Sequence, residues 1–148
     1  MHIRDICKRS IVTCTRKTSA LDLAHLMRDS HVGHVIVVDE TNGEPVPVGI
    51  VTDRDLVMRV MACDLEPQAV HAADLIGGPL DTVLESEAIY DASWHMRRRA
   101  ISRMPVVDDR GRLRGMLSKD DVMMFLANEL VEAAAVAPHE VRLAEART

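Results

Sequence analysis

The stretch Gly49-Ile50-Val51-Thr52-Asp53-Arg54-Asp55 recurs as Gly115-Met116-Leu117-Ser118-Lys119-Asp120-Asp121, 66 residues later. Each copy is a glycine, two apolar residues, a hydroxyl residue and, three places on, an aspartate. The apolar pair reads as the end of a strand. A Ser or Thr followed at that distance by an acid marks a helix start. The hydroxyl and the carboxylate each satisfy a backbone N–H that the first turn leaves unpaired. Elsewhere in the chain, Val37-Val38-Asp39 matches Val106-Val107-Asp108, Met27 matches Met96, and Asp5-Ile6 matches Asp74-Leu75, all at a separation of 69. The two separations differ because the first copy has the longer turn, Glu40-Thr41-Asn42-Gly43-Glu44-Pro45 against Asp109-Arg110-Gly111. Turns tolerate such insertions, since loop-closure entropy grows slowly with length. The chain is an internal repeat.

Each copy carries the same elements. Residues 19–30 and 86–99 place Ala20, Leu23, Leu26 and Met27, or Ile89, Ala92 and Met96, at helical spacing. Short β-branched runs follow, Val35 to Val38 and Met104 to Val107, and read as strands. Asn42-Gly43 predicts a type I′ hairpin turn, whose two central residues need positive φ. Second strands, Val46 to Val51 and Leu113 to Leu117, lead into second helices starting near Asp53 and Lys119. Short extended pieces precede each unit, at Ile11 to Thr13 and Leu80 to Val83, and Val70 to Leu75 opens the second copy as a short helix. The expected organisation is a first repeat over 1–63, a linker over 64–70, a second repeat over 71–128, and a C-terminal helix extension and tail over 129–148. Pro138 is expected to stop the last helix.

Composition excludes several functions. The 148 residues carry a net charge of −5, with 47% hydrophobic and 28% charged residues, a globular balance. The acidity argues against nucleic acid as partner, and Tyr90, Trp94 and Phe125, the only aromatics, are too few to stack successive bases. No apolar stretch reaches the roughly 20 residues that span a bilayer, and no apolar signal region follows the N-terminal Met-His-Ile-Arg-Asp. Cys7, Cys14 and Cys63 are odd in number and lack C-x-x-C spacing, so neither a disulfide framework nor a zinc site is expected. A reduced, cytoplasmic setting is the expectation. No nucleophile motif, metal triad or phosphate-binding Gly-rich loop suggests catalysis.

The repeated motif supports two readings that are compatible. As a cap, Thr52 and Ser118 satisfy backbone N–H groups, and Asp55 and Asp121 sit at the positive helix end. As a ligand site, a carboxylate at the third helical position accepts hydrogen bonds from a vicinal diol, and the helix N-terminus favours an anion. On this second reading Gly49 and Gly115 remove a side chain where a ligand approaches. Together these features suit a nucleoside phosphate.

The two copies resemble tandem CBS domains, the regulatory ligand-binding module named after cystathionine β-synthase. The resemblance rests on Val35 to Asp39 with Gly49 to Asp55, and on Arg103-Met104-Pro105-Val106-Val107-Asp108 with Gly115 to Asp121, and it covers residues 3–128. It implies a mixed α/β fold: two repeats related by internal pseudo-two-fold symmetry, each a small mixed sheet flanked by helices. It also implies adenosine ligands (AMP, ADP, ATP or S-adenosylmethionine) in clefts between the repeats, with no cofactor required. Asp55 and Asp121 would then hold ribose hydroxyls, aided by Thr52 and Ser118, and Ile50 and Met116 would line adenine slots. Arg103 stands where the family places a phosphate-binding base. The first copy has His34 there, and Ile36 replaces the proline. Because His34 is a weaker anion partner than arginine, the expectation is that the Asp121 site binds more tightly than the Asp55 site.

Arg54 and Lys119, after the hydroxyl residues, are candidates to reach a phosphate or to stay solvated. His31 and His34 lack a third ligand for a metal. Arg97-Arg98-Arg99 ends a helix, where cations are favoured. The expected function is a non-catalytic adenosine-nucleotide sensor that works through ligand-dependent conformational change and acts on a regulated partner protein. The alternative is a protein-interaction scaffold with degenerate ligand sites. A homodimer is expected because Leu56-Val57-Met58-Arg59-Val60-Met61 and Val122-Met123-Met124-Phe125-Leu126 are too apolar for a solvated helix face.

Overall fold

The computed structural model describes residues 1–146, with side chains as far as Val136. The first helix, α1 (Ala20–Ser30), begins where the Ser19 hydroxyl accepts the Asp22 N–H. It ends at His31, in left-handed conformation with φ 53°. Its counterpart in the second repeat, α4 (Ile89–Arg99), ends the same way at Ala100, also with φ 53°. Leu23 and Met27, and Ile89 and Met96, face inward at the spacing the sequence predicts.

Each helix packs against a three-stranded sheet. In the first, β1 (Thr13–Cys14) runs parallel to β2 (His34–Thr41), and β2 runs antiparallel to β3 (Glu44–Thr52). The second repeats this with β4 (Val83–Leu84), β5 (Arg103–Val107) and β6 (Leu113–Ser118). The β2–β3 turn is the expected type I′: Asn42 and Gly43 have φ of 52° and 76°. Both sheets shift register at the same point, between Val37 and Val38 and between Val106 and Val107. Ile36 and Val38 from one sheet meet Leu113 and Met116 from the other, with Ile11 and Ile50 at the edge, and this cluster joins the repeats.

After β3 the chain enters α2 (Asp53–Leu56) and continues as a π-helical turn over Val57–Met61. A short α3 (Ala72–Leu75) precedes β4, and α5 (Lys119–Ala146) follows β6. The expectation that Pro138 ends this helix is corrected: α5 continues to Ala146. An interior proline removes one backbone hydrogen bond, at about 3 kcal/mol, and the preceding Ala133-Ala134-Ala135 has the highest intrinsic helix propensity. Among the described residues, no helix is long and apolar enough to cross a membrane.

The opening segments of the two repeats are exchanged. Residues 3–5 form a 3-10 turn that docks on the second repeat, where the Ile3 N–H donates to the Glu87 carbonyl and that of Arg4 to the Glu85 carbonyl. The pseudo-equivalent Ala72 and Ala73 donate to Thr18 and Arg16 of the first repeat. Ile3 is fully buried in the core of Val83, Ile89, Met104, Val106 and Leu117. Leu75 is buried in the core of Leu23, Val35, Val37 and Val51. Lys8 then pairs with Met116 at the free edge of β6, through hydrogen bonds of 3.0 and 2.9 Å.

This exchange decides the role of the two motif glycines. A Cβ on Gly115 would lie 2.7 Å from the Lys8 carbonyl oxygen and 3.0 Å from the Cys7 sulfur. One on Gly49 would overlap the Ile76 side chain. For Gly115 the reading that a ligand approaches there is corrected, because the exchanged segment fills the space; Gly49 packs on Ile76 and still lines the cavity beside Asp55.

Candidate functional site

Strands β3 and β6 end at the pseudo-two-fold axis and hand over directly to helix N-termini. Asp55 Oδ2 accepts the Thr52 N–H at 2.8 Å and its hydroxyl at 3.1 Å, while the Asp55 N–H donates to Thr52 Oγ1 at 3.2 Å. Asp121 and Ser118 repeat this at 2.9, 2.7 and 3.1 Å. Both motifs are thus true caps. The cap uses only one carboxylate oxygen in each. Asp55 Oδ1 has no hydrogen-bond partner among the described residues, and Asp121 Oδ1 lies 3.8 Å from Lys8 Nζ. Capping and ligand binding therefore use different atoms of the same side chain.

Each aspartate opens on a cleft. On the Asp55 side, a cavity of about 490 Å³ is lined by Gly49, Ile50, Asp55, Arg59, Ile76 and Leu80. A neighbouring cavity of about 510 Å³, which shares Ile50 with it, is lined by Thr52, Asp53, Arg54, Ile101 and Arg103. On the Asp121 side, a smaller cleft of about 200 Å³ is lined by Lys8, Ile11, Val32, His34, Arg103, Met116, Ser118 and Asp121. Each cleft therefore combines the helix start of one repeat with the helix–strand junction of the other.

At the axis, Arg103 Nη1 and His34 Nδ1 are 2.6 Å apart. They are the first residues of β5 and β2, so the pseudo-symmetry brings equivalent positions face to face. Burial, then the nearby Arg103 and Lys8 charges, push the His34 ring below its ordinary pKa, so the neutral imidazole accepts a hydrogen bond from the guanidinium. His34 opens β2.

Of the residues singled out from sequence, Ile50, Thr52, Asp55, Arg54 and Arg103 come together on one side, and Met116, Ser118, Asp121, His34 and Arg103 on the other. Met116 is only 4% exposed and belongs mainly to the cluster joining the sheets. Lys119 lines neither cleft; its backbone N–H donates to the Ser102 carbonyl, which anchors the helix start. The assignment of Arg103 to the Asp121 site alone is corrected, because it borders both clefts. Two lining cations were missed. Lys8 arrives with the exchanged N-terminal segment, and Arg59 is held by the Leu75 and Asp74 carbonyls at the end of α3. The Asp5-Ile6 match to Asp74-Leu75 was the one sequence signal that these segments take equivalent places.

The family profile of the CBS domain matches residues 3–62 and 72–128. The chain belongs to the CBS domain family. Its CBS repeats are 32% identical over 123 residues to the uncharacterized protein MK0525 of Methanopyrus kandleri, an alignment covering 83% of this chain and 61% of that one. Among solved structures, the CBS domain protein PAE2072 of Pyrobaculum aerophilum, complexed with AMP, superposes with a TM-score of 0.73 at 26% identity, covering 86% of this chain and 99% of that one. The CBS domain pair of MJ0100, complexed with 5′-methylthioadenosine and S-adenosyl-L-methionine, superposes with a TM-score of 0.73 at 22% identity, covering 87% and 98%. Both neighbours have the fold seen here.

Proposed function

We propose that the chain is a non-catalytic regulatory module that binds an adenosine ligand at the Asp55 and Asp121 clefts. One observation carries this reading: each aspartate uses one oxygen to cap a helix and keeps the other outside the cap, beside a cleft at that helix N-terminus. A ribose diol fits that oxygen, and Arg54 and Arg103 provide positive charge for a phosphate on the Asp55 side. The AMP complex of the Pyrobaculum relative supports an adenosine phosphate. Calorimetry with AMP, ADP, ATP and S-adenosylmethionine tests the reading. Asp55→Asn and Asp121→Asn should each abolish or weaken one binding event, by roughly ten- to a hundredfold for a lost charge-assisted hydrogen bond. Absence of binding by all four ligands to the folded protein would reject it and favour the scaffold.

The output requires another surface. Val57 and Met58, and the pseudo-equivalent Met123 and Met124, are 50% to 62% exposed, and Leu130 and Val131 extend the strip along α5. Val122 and Phe125, by contrast, face their own repeat's core. Such an apolar surface suits a second copy of the chain, through which ligand binding would reach a regulated partner.

A further inference from the structure

Arg103 is the cation that borders both clefts, and its surroundings leave it available to an anion. Among the described residues no carboxylate lies within ion-pair distance of it, and its side-chain hydrogen bond is to a neutral ring, His34. It stands between two helix N-termini, Thr52-Asp53 and Ser118-Lys119, whose backbone dipoles already favour negative charge. Pseudo-symmetry would place two cations at the axis, one for each cleft. At this pair of equivalent positions the chain has one cation, because the other is His34; Arg54 and Lys8 each line one cleft only.

We propose, building on the nucleotide-binding reading, that Arg103 is a shared phosphate anchor for which the two clefts compete, so that a phosphate-bearing ligand in one cleft weakens the binding of a second in the other. A guanidinium drawn to one phosphate gives up its contact with His34 and is no longer available across the axis. The coupling belongs to the phosphate alone. A nucleoside held by Asp55 or Asp121 without a phosphate does not draw on Arg103, and its two binding events are independent. The axis pair thus makes the chain respond to the first nucleotide phosphate and resist the second.

Calorimetry on the full chain with AMP and with adenosine tests this. For AMP, the second binding event should be weaker than the first by roughly ten- to a hundredfold, the loss expected for one charge-assisted contact. For adenosine, the separation between the two events should be clearly smaller than for AMP, since it reflects only the inequality of the two clefts. Arg103→Gln should weaken the first AMP event towards the second and leave adenosine unchanged, a split that a merely structural role would not give. His34→Arg, which supplies the missing cation, should strengthen the second AMP event. Two AMP events of equal affinity, or an equal separation for AMP and adenosine, would overturn the competition while leaving the nucleotide reading intact. No binding of either ligand would remove both.

Discussion

Replacing Gly115 by alanine isolates the contact between the N-terminal segment and β6. The new Cβ would stand 2.7 Å from the Lys8 carbonyl oxygen, well inside van der Waals contact. That oxygen belongs to a backbone hydrogen bonded to Met116 in both directions, so it cannot rotate away as a side chain could. Overpacking of this kind costs about 1–3 kcal/mol. For a chain of this size that lowers Tm by roughly 2–4 °C for each kcal/mol, or about 2–12 °C in all. The relief is local: the segment lifts from the sheet edge, and the amides of Ile3, Arg4, Lys8 and Met116 lose hydrogen-exchange protection together. Gly49→Ala meets a side chain instead, that of Ile76. Adding Ile76→Ala should therefore recover most of the loss in Gly49→Ala, whereas Cys7→Ala should recover little in Gly115→Ala. Unchanged protection of Lys8 and Met116 in Gly115→Ala would refute the argument that these glycines exist for the exchanged segments.

Lys8→Ala should strengthen adenosine binding at the Asp121 cleft, since it removes the ammonium 3.8 Å from the oxygen a ribose would use; calorimetry on the Asp55→Asn background reads that cleft alone. Light scattering at micromolar concentration should give twice the 16.4 kDa chain mass, and Met124→Glu should return it to the monomer value, because Met124 is 62% exposed and its loss leaves the core intact. Burial, with the Arg103 and Lys8 charges, holds the His34 pKa below its ordinary value of 6.5, so as the pH falls the unfolded chain takes up a proton there before the folded chain does. Stability from this residue is therefore complete above about pH 6.5 and declines as the pH falls below it; urea midpoints should show that slope shrinking in His34→Gln. Asp108 is 5% exposed, and burial would raise its pKa. Hydrogen bonds from Arg112, Arg110 and Arg114 outweigh burial and hold it well below the usual carboxylate range. Asp108→Asn should accordingly lower Tm at neutral pH, and the difference from the parent should narrow as the pH falls through the ordinary carboxylate range.

The repeat, the helices and strands, the type I′ turn and both caps were legible because each depends on neighbouring residues. Periodicity reports which face of α1 is buried, and the Thr52-to-Asp55 spacing reports a helix start wherever it occurs. What the pattern did not report was placement across the axis. Nothing local in Met1 to Lys8 says that Ile3 belongs in the second repeat's core, and so Gly115 was read as ligand space and Lys8 was overlooked. The same blindness gave Arg103 to one site. Pairing equivalent residues by the 69-residue separation finds His34 opposite Arg103, but only the folded axis shows that they touch. The continuation of α5 past Pro138 was missed because one breaker was weighed against its own position rather than against the whole surrounding run.

The crossed placement of the two opening segments also governs how the chain reaches its native state. Ile3 and Lys8 settle against strands completed only at Met116 and Leu117, roughly a hundred residues later, a large sequence separation of the kind that slows folding. On the ribosome, the stretch around Ile3 waits for almost the whole of the second repeat before it has anywhere to dock. The first repeat waits in turn for Ala72 and Leu75 to fill its own core. A chain severed between residues 64 and 70 would yield two fragments, each holding the other's missing piece. Such halves should reassemble when mixed, and at high concentration intact chains could trade these pieces between molecules, a route to interlocked dimers.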